Sequence, residues 1–131
     1  MDFSAATCEL CASVPDLIAV YLFGSFARGD SNRESEVDLA VLAARPIEAS
    51  LRFELAGRLE EKLRQSVDLV DLRRASAVFR VQILKDATLL VDEDPGRRAE
   101  FECFALSDYA RLNEERAGIL DDVRRSGRVH G

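Results

Sequence analysis

An α/β domain, more strictly α+β, of short strands alternating with helices is what this sequence predicts, and three observations predict it. Leu17 to Phe23 is an unbroken apolar run whose length and β-branched and aromatic content suit a buried strand. Ile47, Leu51, Leu55, Leu59 and Leu63 recur every four residues, one apolar stripe along an amphipathic helix. The segment 67–72, Val-Asp-Leu-Val-Asp-Leu, then returns to a strand-like pattern.

The remaining elements fall between these. Residues 4–13 fit a short helix. After the first strand, Gly24 supplies a turn and Ser25 suits a helix N-cap, so a short helix through Arg28 is expected to stop at Gly29. The polar, turn-rich residues 30–35 read as a loop. Val37 to Val41 reads as a second strand, broken at Arg45-Pro46, and the striped helix covers 47–65. Residues 75–85 form a further helix with Val78, Val81 and Leu84 inward, and Thr88 to Val91 a fourth, edge strand. Pro95 suits the first turn of a long last helix. Its apolar positions are Phe101, Phe104, Ala105, Leu112, Ile119, Leu120 and Val123. The domain is expected to occupy 1–125, with 126–131 a flexible tail.

With 131 residues and 47% hydrophobic content the chain can bury a core of its own as one domain. The formal charge of −6 repels phosphate backbones and argues against stable nucleic-acid binding. It does not argue against ATP, because a metal ion can bridge carboxylates to a triphosphate. Cys8 and Cys11 form a CxxC, but Cys103 and His130 supply no second ligand pair, so the pair reads as small side chains in a helix. The odd cysteine count fits a reducing cytosol, and no apolar run approaches the roughly 20 residues that span a bilayer. A cytoplasmic protein is expected.

The segment that carries chemistry is Gly24-Ser25, then ten residues, then Glu36-Val37-Asp38. Side chains two apart on a strand share a face, so Glu36 and Asp38 point the same way. Two carboxylates held together call for a cation, and a pair of Mg2+ ions, which take oxygen ligands, would relieve the repulsion. A third acid comes from 67–72, where Asp68 and Asp71 lie on opposite faces. Asp68 is preferred over Asp71 as the acid that would complete the site and help deprotonate an attacking hydroxyl. Gly24 would let the backbone approach a phosphate, Ser25 and the following helix N-terminus would donate to it, and Arg28 would neutralise its charge. For Arg28 a solvent-facing salt bridge is an equal alternative. Arg80 is a further candidate, while Tyr21 and Tyr109 read as packing residues.

This pattern resembles the signature of the DNA polymerase beta-like nucleotidyltransferase superfamily. The stretch Phe-Gly-Ser-Phe-Ala-Arg-Gly-Asp through Asp38 and beyond is similar to its minimal nucleotidyltransferase branch, as are Val-Asp-Leu-Val-Asp-Leu, the 79–84 helix and the terminal long helix. The resemblance implies a small mixed β-sheet flanked by helices, in the nucleotidyltransferase fold. It implies Glu36, Asp38 and Asp68 as metal-binding and catalytic residues, with Gly24 and Ser25 on the triphosphate of ATP. Members of the branch are often antitoxins of type VII toxin–antitoxin pairs that transfer AMP to a tyrosine of a HEPN-domain toxin. Homo-oligomerisation is compatible with that role. Two features depart from the branch. Glu36 stands where Asp is usual, and one extra methylene moves a carboxylate by roughly 1 Å, a displacement that can cost ~10²-fold in rate. Lys85-Asp86-Ala87 replaces a frequent glycine. The alternatives are an antitoxin that binds its toxin with weakened catalysis, and a small-molecule adenylyltransferase of the aminoglycoside type, for which the chain has no second domain to build an acceptor pocket.

Overall fold

Continuously apolar central strands decide the architecture, because both of their faces must be covered. The computed structural model describes residues 1–32 and 34–130, with side chains through Ile119. The elements are α1 (Ser4–Ser13), β1 (Leu17–Phe23), α2 (Gly24–Arg28), β2 (Val37–Ala43), α3 (Ala49–Leu63), β3 (Val67–Asp71), α4 (Ala77–Asp86), β4 (Thr88–Asp92) and α5 (Pro95–His130). Of the tail expected at 126–131, α5 takes in the backbone through His130, while Gly131 and the side chains of Leu120, Val123 and His130 lie outside the described residues.

The four strands form a mixed sheet of order β3-β2-β1-β4. β1 runs antiparallel to both β2 and β4, and β3 pairs parallel with β2 after the α3 crossover. β4 is an edge strand, as its partly polar sequence suggests.

On one face Leu10 of α1 and Leu55, Leu59 and Leu63 of α3 pack on Val20, Leu22, Val37, Leu39 and Val41. On the other, Ile83 of α4 and Phe101 and Ala105 of α5 pack on Tyr21, Ala40 and Leu42. Burial on two faces is why β1 and β2 read as continuous apolar runs and not as alternating ones.

Three details differ from the sequence reading. The short helix begins at Gly24 with Phe23 at its N-cap and no side-chain cap, so Ser25 lies inside the first turn and caps nothing. In α4 the buried residue is Ile83, whereas Val78, Val81 and Leu84 are only half-buried. Among the described side chains of α5 only Phe101 and Ala105 are buried, while Phe104 and Ile119 are 59% and 62% exposed. The described part of α5 packs on α4 and β1.

Candidate active site

The register of three strands builds the site. Phe23 pairs with Asp38 across β1 and β2, and Asp38 with Asp68 across β2 and β3, so the three residues form one row. Odd positions of β2 (37, 39, 41) enter one core and even positions (40, 42) the other, which puts Asp38 on the α4 face. Glu36 precedes it by two residues and joins it. Oxygens of Glu36, Asp38 and Asp68 all lie within 4.8 Å of one another.

Their electrostatics follow from that spacing. Burial, and then the neighbouring charges of Asp68 and Glu36, push the Asp38 carboxyl above the usual aspartate range, with Arg28 opposing. Three hard oxygen donors that repel one another at this range fit a divalent cation.

Gly24 is fixed by this row. Its φ of +73° lies in the left-handed region, and a Cβ there would collide with the Asp38 carboxylate. The turn after β1 is thereby pressed against the acids, with Ser25 next to it in α2. Arg28 ends α2; it is exposed and bridges Asp30 at 3.3 Å. The 30–35 loop that leads to Glu36 is braced by Asn32, whose side chain accepts from the Glu34 N–H at 2.8 Å and whose own N–H donates to Ser35 Oγ at 2.8 Å.

The two acids of β3 separate completely. Asp68 is exposed and stands in the carboxylate cluster. Asp71 is 4% exposed; it accepts from the Ile47 N–H at 2.7 Å and the Arg73 N–H at 3.0 Å, clamping the chain that enters α3. Replacing Asp71 with Ala leaves a buried N–H unpaired, and a loss of about 2–3 kcal/mol in stability is expected by urea denaturation. Asp68→Ala, which relieves repulsion, should stay within about 0.5 kcal/mol of the wild type.

Arg80 does not reach the acids. It donates to the Leu72 and Arg73 carbonyls at 2.8 Å each and lies 5.2 Å over the Phe101 ring. Tyr21 is 3% exposed and donates to Glu102 at 2.8 Å, a packing role. Cys8, Cys11 and Cys103 are free and exposed. A cleft of about 670 Å3 near Arg45, Arg73 and Phe104 opens at the opposite end of the strands from the carboxylates.

Residues beside the acids that the sequence did not point out are Phe79, Arg52 and Arg74. With Asp68 they line a cavity of about 210 Å3 outside β3. Phe79 is the third residue of α4, where Ser76 Oγ accepts from its N–H at 3.1 Å. That serine cap was a legible signal for where α4 begins, not for what Phe79 would face.

Residues 7–96 match the family described as polymerase beta, nucleotidyltransferase. The chain belongs to this family. Its sequence is 41% identical over 114 residues to the protein adenylyltransferase MntA of Shewanella oneidensis, covering 85% of this chain and 79% of that protein. Among solved structures it is similar to a chain of a toxin–antitoxin crystal structure with AMP-PNP, at 36% identity and a TM-score of 0.83, covering 95% of this chain and 99% of that one. It is also similar to a chain of the complex between tri-AMPylated Shewanella oneidensis HEPN toxin and MNT antitoxin, at 35% identity and a TM-score of 0.75, covering 92% and 93%. The family's mixed sheet with a long C-terminal helix is therefore present here in full. No helix among the described residues is long and apolar enough to cross a membrane.

Proposed function

We propose that this nucleotidyltransferase is the antitoxin of a HEPN-domain toxin and silences it by transferring AMP from ATP to a toxin tyrosine, using two Mg2+ ions, in the cytoplasm. The observation that carries the reading is the convergence of Glu36, Asp38 and Asp68 beside a glycine with no room for a side chain. Support comes from the relatives, whose names describe a protein adenylyltransferase and an AMPylated toxin held by its antitoxin.

The chain's own residues would divide the work. Glu36, Asp38 and Asp68 supply the oxygens that hold the ions, and the ions, once bound, offset negative charge at the reacting phosphate. Gly24 leaves space for phosphate oxygens, and Ser25 offers its hydroxyl. Arg28 gives up little in turning to a phosphate, because an exposed bridge such as that to Asp30 contributes only about 0–1 kcal/mol. Asp68 accepts the proton of the attacking hydroxyl. Phe104, Leu106 and Ile119, exposed along α5, offer apolar surface to the toxin.

Incubation with the HEPN partner, labelled ATP and Mg2+ tests this. Label should appear on the partner and vanish with Asp38→Ala. A second reading, an antitoxin that acts by binding, is favoured by Glu36 in the usual aspartate position. A stable complex without label would select it, and label on a small-molecule acceptor would refute both.

A further inference from the structure

Transfer at the α-phosphate is an in-line displacement, so the attacking oxygen and the departing pyrophosphate occupy opposite sides of the phosphorus. The sheet gives these sides a direction. Gly24 follows β1, Asp38 stands on β2 and Asp68 on β3, and the strand order places them in that sequence from the middle of the sheet to its edge. With the pyrophosphate end of ATP against the Gly24–Ser25 turn, the attacking hydroxyl must arrive from beyond β3. The cavity of about 210 Å3 lies there, and Asp68 belongs to both the acid cluster and its wall.

We propose that this cavity seats the acceptor, a phenolic side chain of the partner protein, with its ring against Phe79 and its hydroxyl at Asp68. The inference rests on the nucleotidyl-transfer reading and names the subsite that reading lacks. Size argues for one side chain, since pockets that enclose whole small molecules run to roughly 300–1,000 Å3. Phe79 argues for an aromatic one. It meets Phe23 edge-on at 6.2 Å and 82°, and 36% of it stays exposed beside the cavity. Such a ring gains from a second aromatic partner. Charge argues for a phenol over an aliphatic alcohol. The Arg74 guanidinium on the cavity wall is 59% exposed and lies 3.6 Å from the buried Asp71 carboxylate, and Arg52 stands with it. Cations there favour the oxyanion that develops as the proton leaves, which a phenol with a pKa of about 10 forms far more readily than serine does. In the step, the phenolic oxygen bonds to the α-phosphorus, the bond from that phosphorus to the bridging oxygen breaks, pyrophosphate leaves with the electron pair, and the phenolic proton passes to Asp68 and then to solvent.

The test is an NMR titration of the isotope-labelled chain with N-acetyltyrosinamide in the presence of Mg2+ and α,β-methylene-ATP, which cannot be cleaved at the reacting bond. Shifts should centre on 68–79, and N-acetylserinamide should produce none there. Phe79→Ala should weaken tyrosinamide binding roughly 5–20-fold and Phe79→Trp restore it, with nucleotide affinity unchanged within twofold. Phe79→Leu, which keeps the packing on Phe23, should weaken it in the same direction and guards against a folding defect. Tyrosinamide binding by the Ala and Leu variants as tight as by the wild type, or shifts centred elsewhere, would overturn the proposal. So would a fall in nucleotide affinity with Phe79→Ala, which would assign the ring to adenine. Failure of the transfer reading itself shows separately, as absence of label from ATP on the HEPN partner.

Discussion

Asp38→Asn is expected to reduce nucleotidyl transfer by at least about 10³-fold while making the ligand-free protein more stable. Asp38 is the central residue of the row and the most buried of the three acids. On the proposed cation site its loss removes the central carboxylate, a defect on the scale of removing a charge-stabilising group from a reacting centre. The stability gain has the opposite origin. In the folded protein the Asp38 carboxyl titrates above its unfolded value of about 3.9, because burial and the charges of Asp68 and Glu36 disfavour ionisation. A group with a raised folded pKa contributes stability that is full below the unfolded pKa and is lost as pH rises through the folded one. At neutral pH that stability is absent and the ionised cluster is a liability. Thermal melts of the metal-free wild type should therefore show stability rising as pH falls toward the upper edge of the aspartate range. The Asn variant should show a flatter profile there and, at pH 7, a higher melting temperature than the wild type. Mg·ATP should reverse the order, raising the melting point of the wild type and leaving the variant unmoved.

Gly24→Ala should cost both stability and rate. The backbone conformation alone is unfavourable to an L-residue by about 1–2 kcal/mol. The added methyl would also meet the Asp38 carboxylate, which must swing aside. A shift of the order of 1 Å at a reacting centre corresponds to about 10² in rate. Equilibrium unfolding and initial-rate measurements should show the two effects together. Gly29→Ala, also at positive φ but with open space around it, should share the stability loss and spare the rate.

What the sequence made legible here was what strand periodicity and spacing control. The Leu17–Phe23 run, the four-residue stripe of α3 and the pairing of Glu36 with Asp38 needed only local geometry, and so did the separation of Asp68 from Asp71. The register that aligns Phe23, Asp38 and Asp68 was not legible, because it depends on which strands pair and in which direction. The steric reason for Gly24 was hidden for the same cause: a turn residue shows its φ preference in sequence, but the carboxylate above it comes from another strand. Phe79 was invisible as a site residue because its position depends on how α4 docks against β1. On α5 an apolar stripe was readable, yet which part of it the core covers was not, and Phe104 lies on the uncovered side.

The account stands on three carboxylates acting as one cation site next to the phosphate turn. The most direct measurement is anomalous diffraction from crystals soaked with Mn2+ and α,β-methylene-ATP. Peaks should appear at roughly 2.0–2.2 Å from oxygens of Glu36, Asp38 and Asp68, with the triphosphate running toward Gly24 and Ser25. Nucleotide bound elsewhere, for example in the arginine-lined cleft at the other end of the strands, with no anomalous signal among these acids, would contradict it.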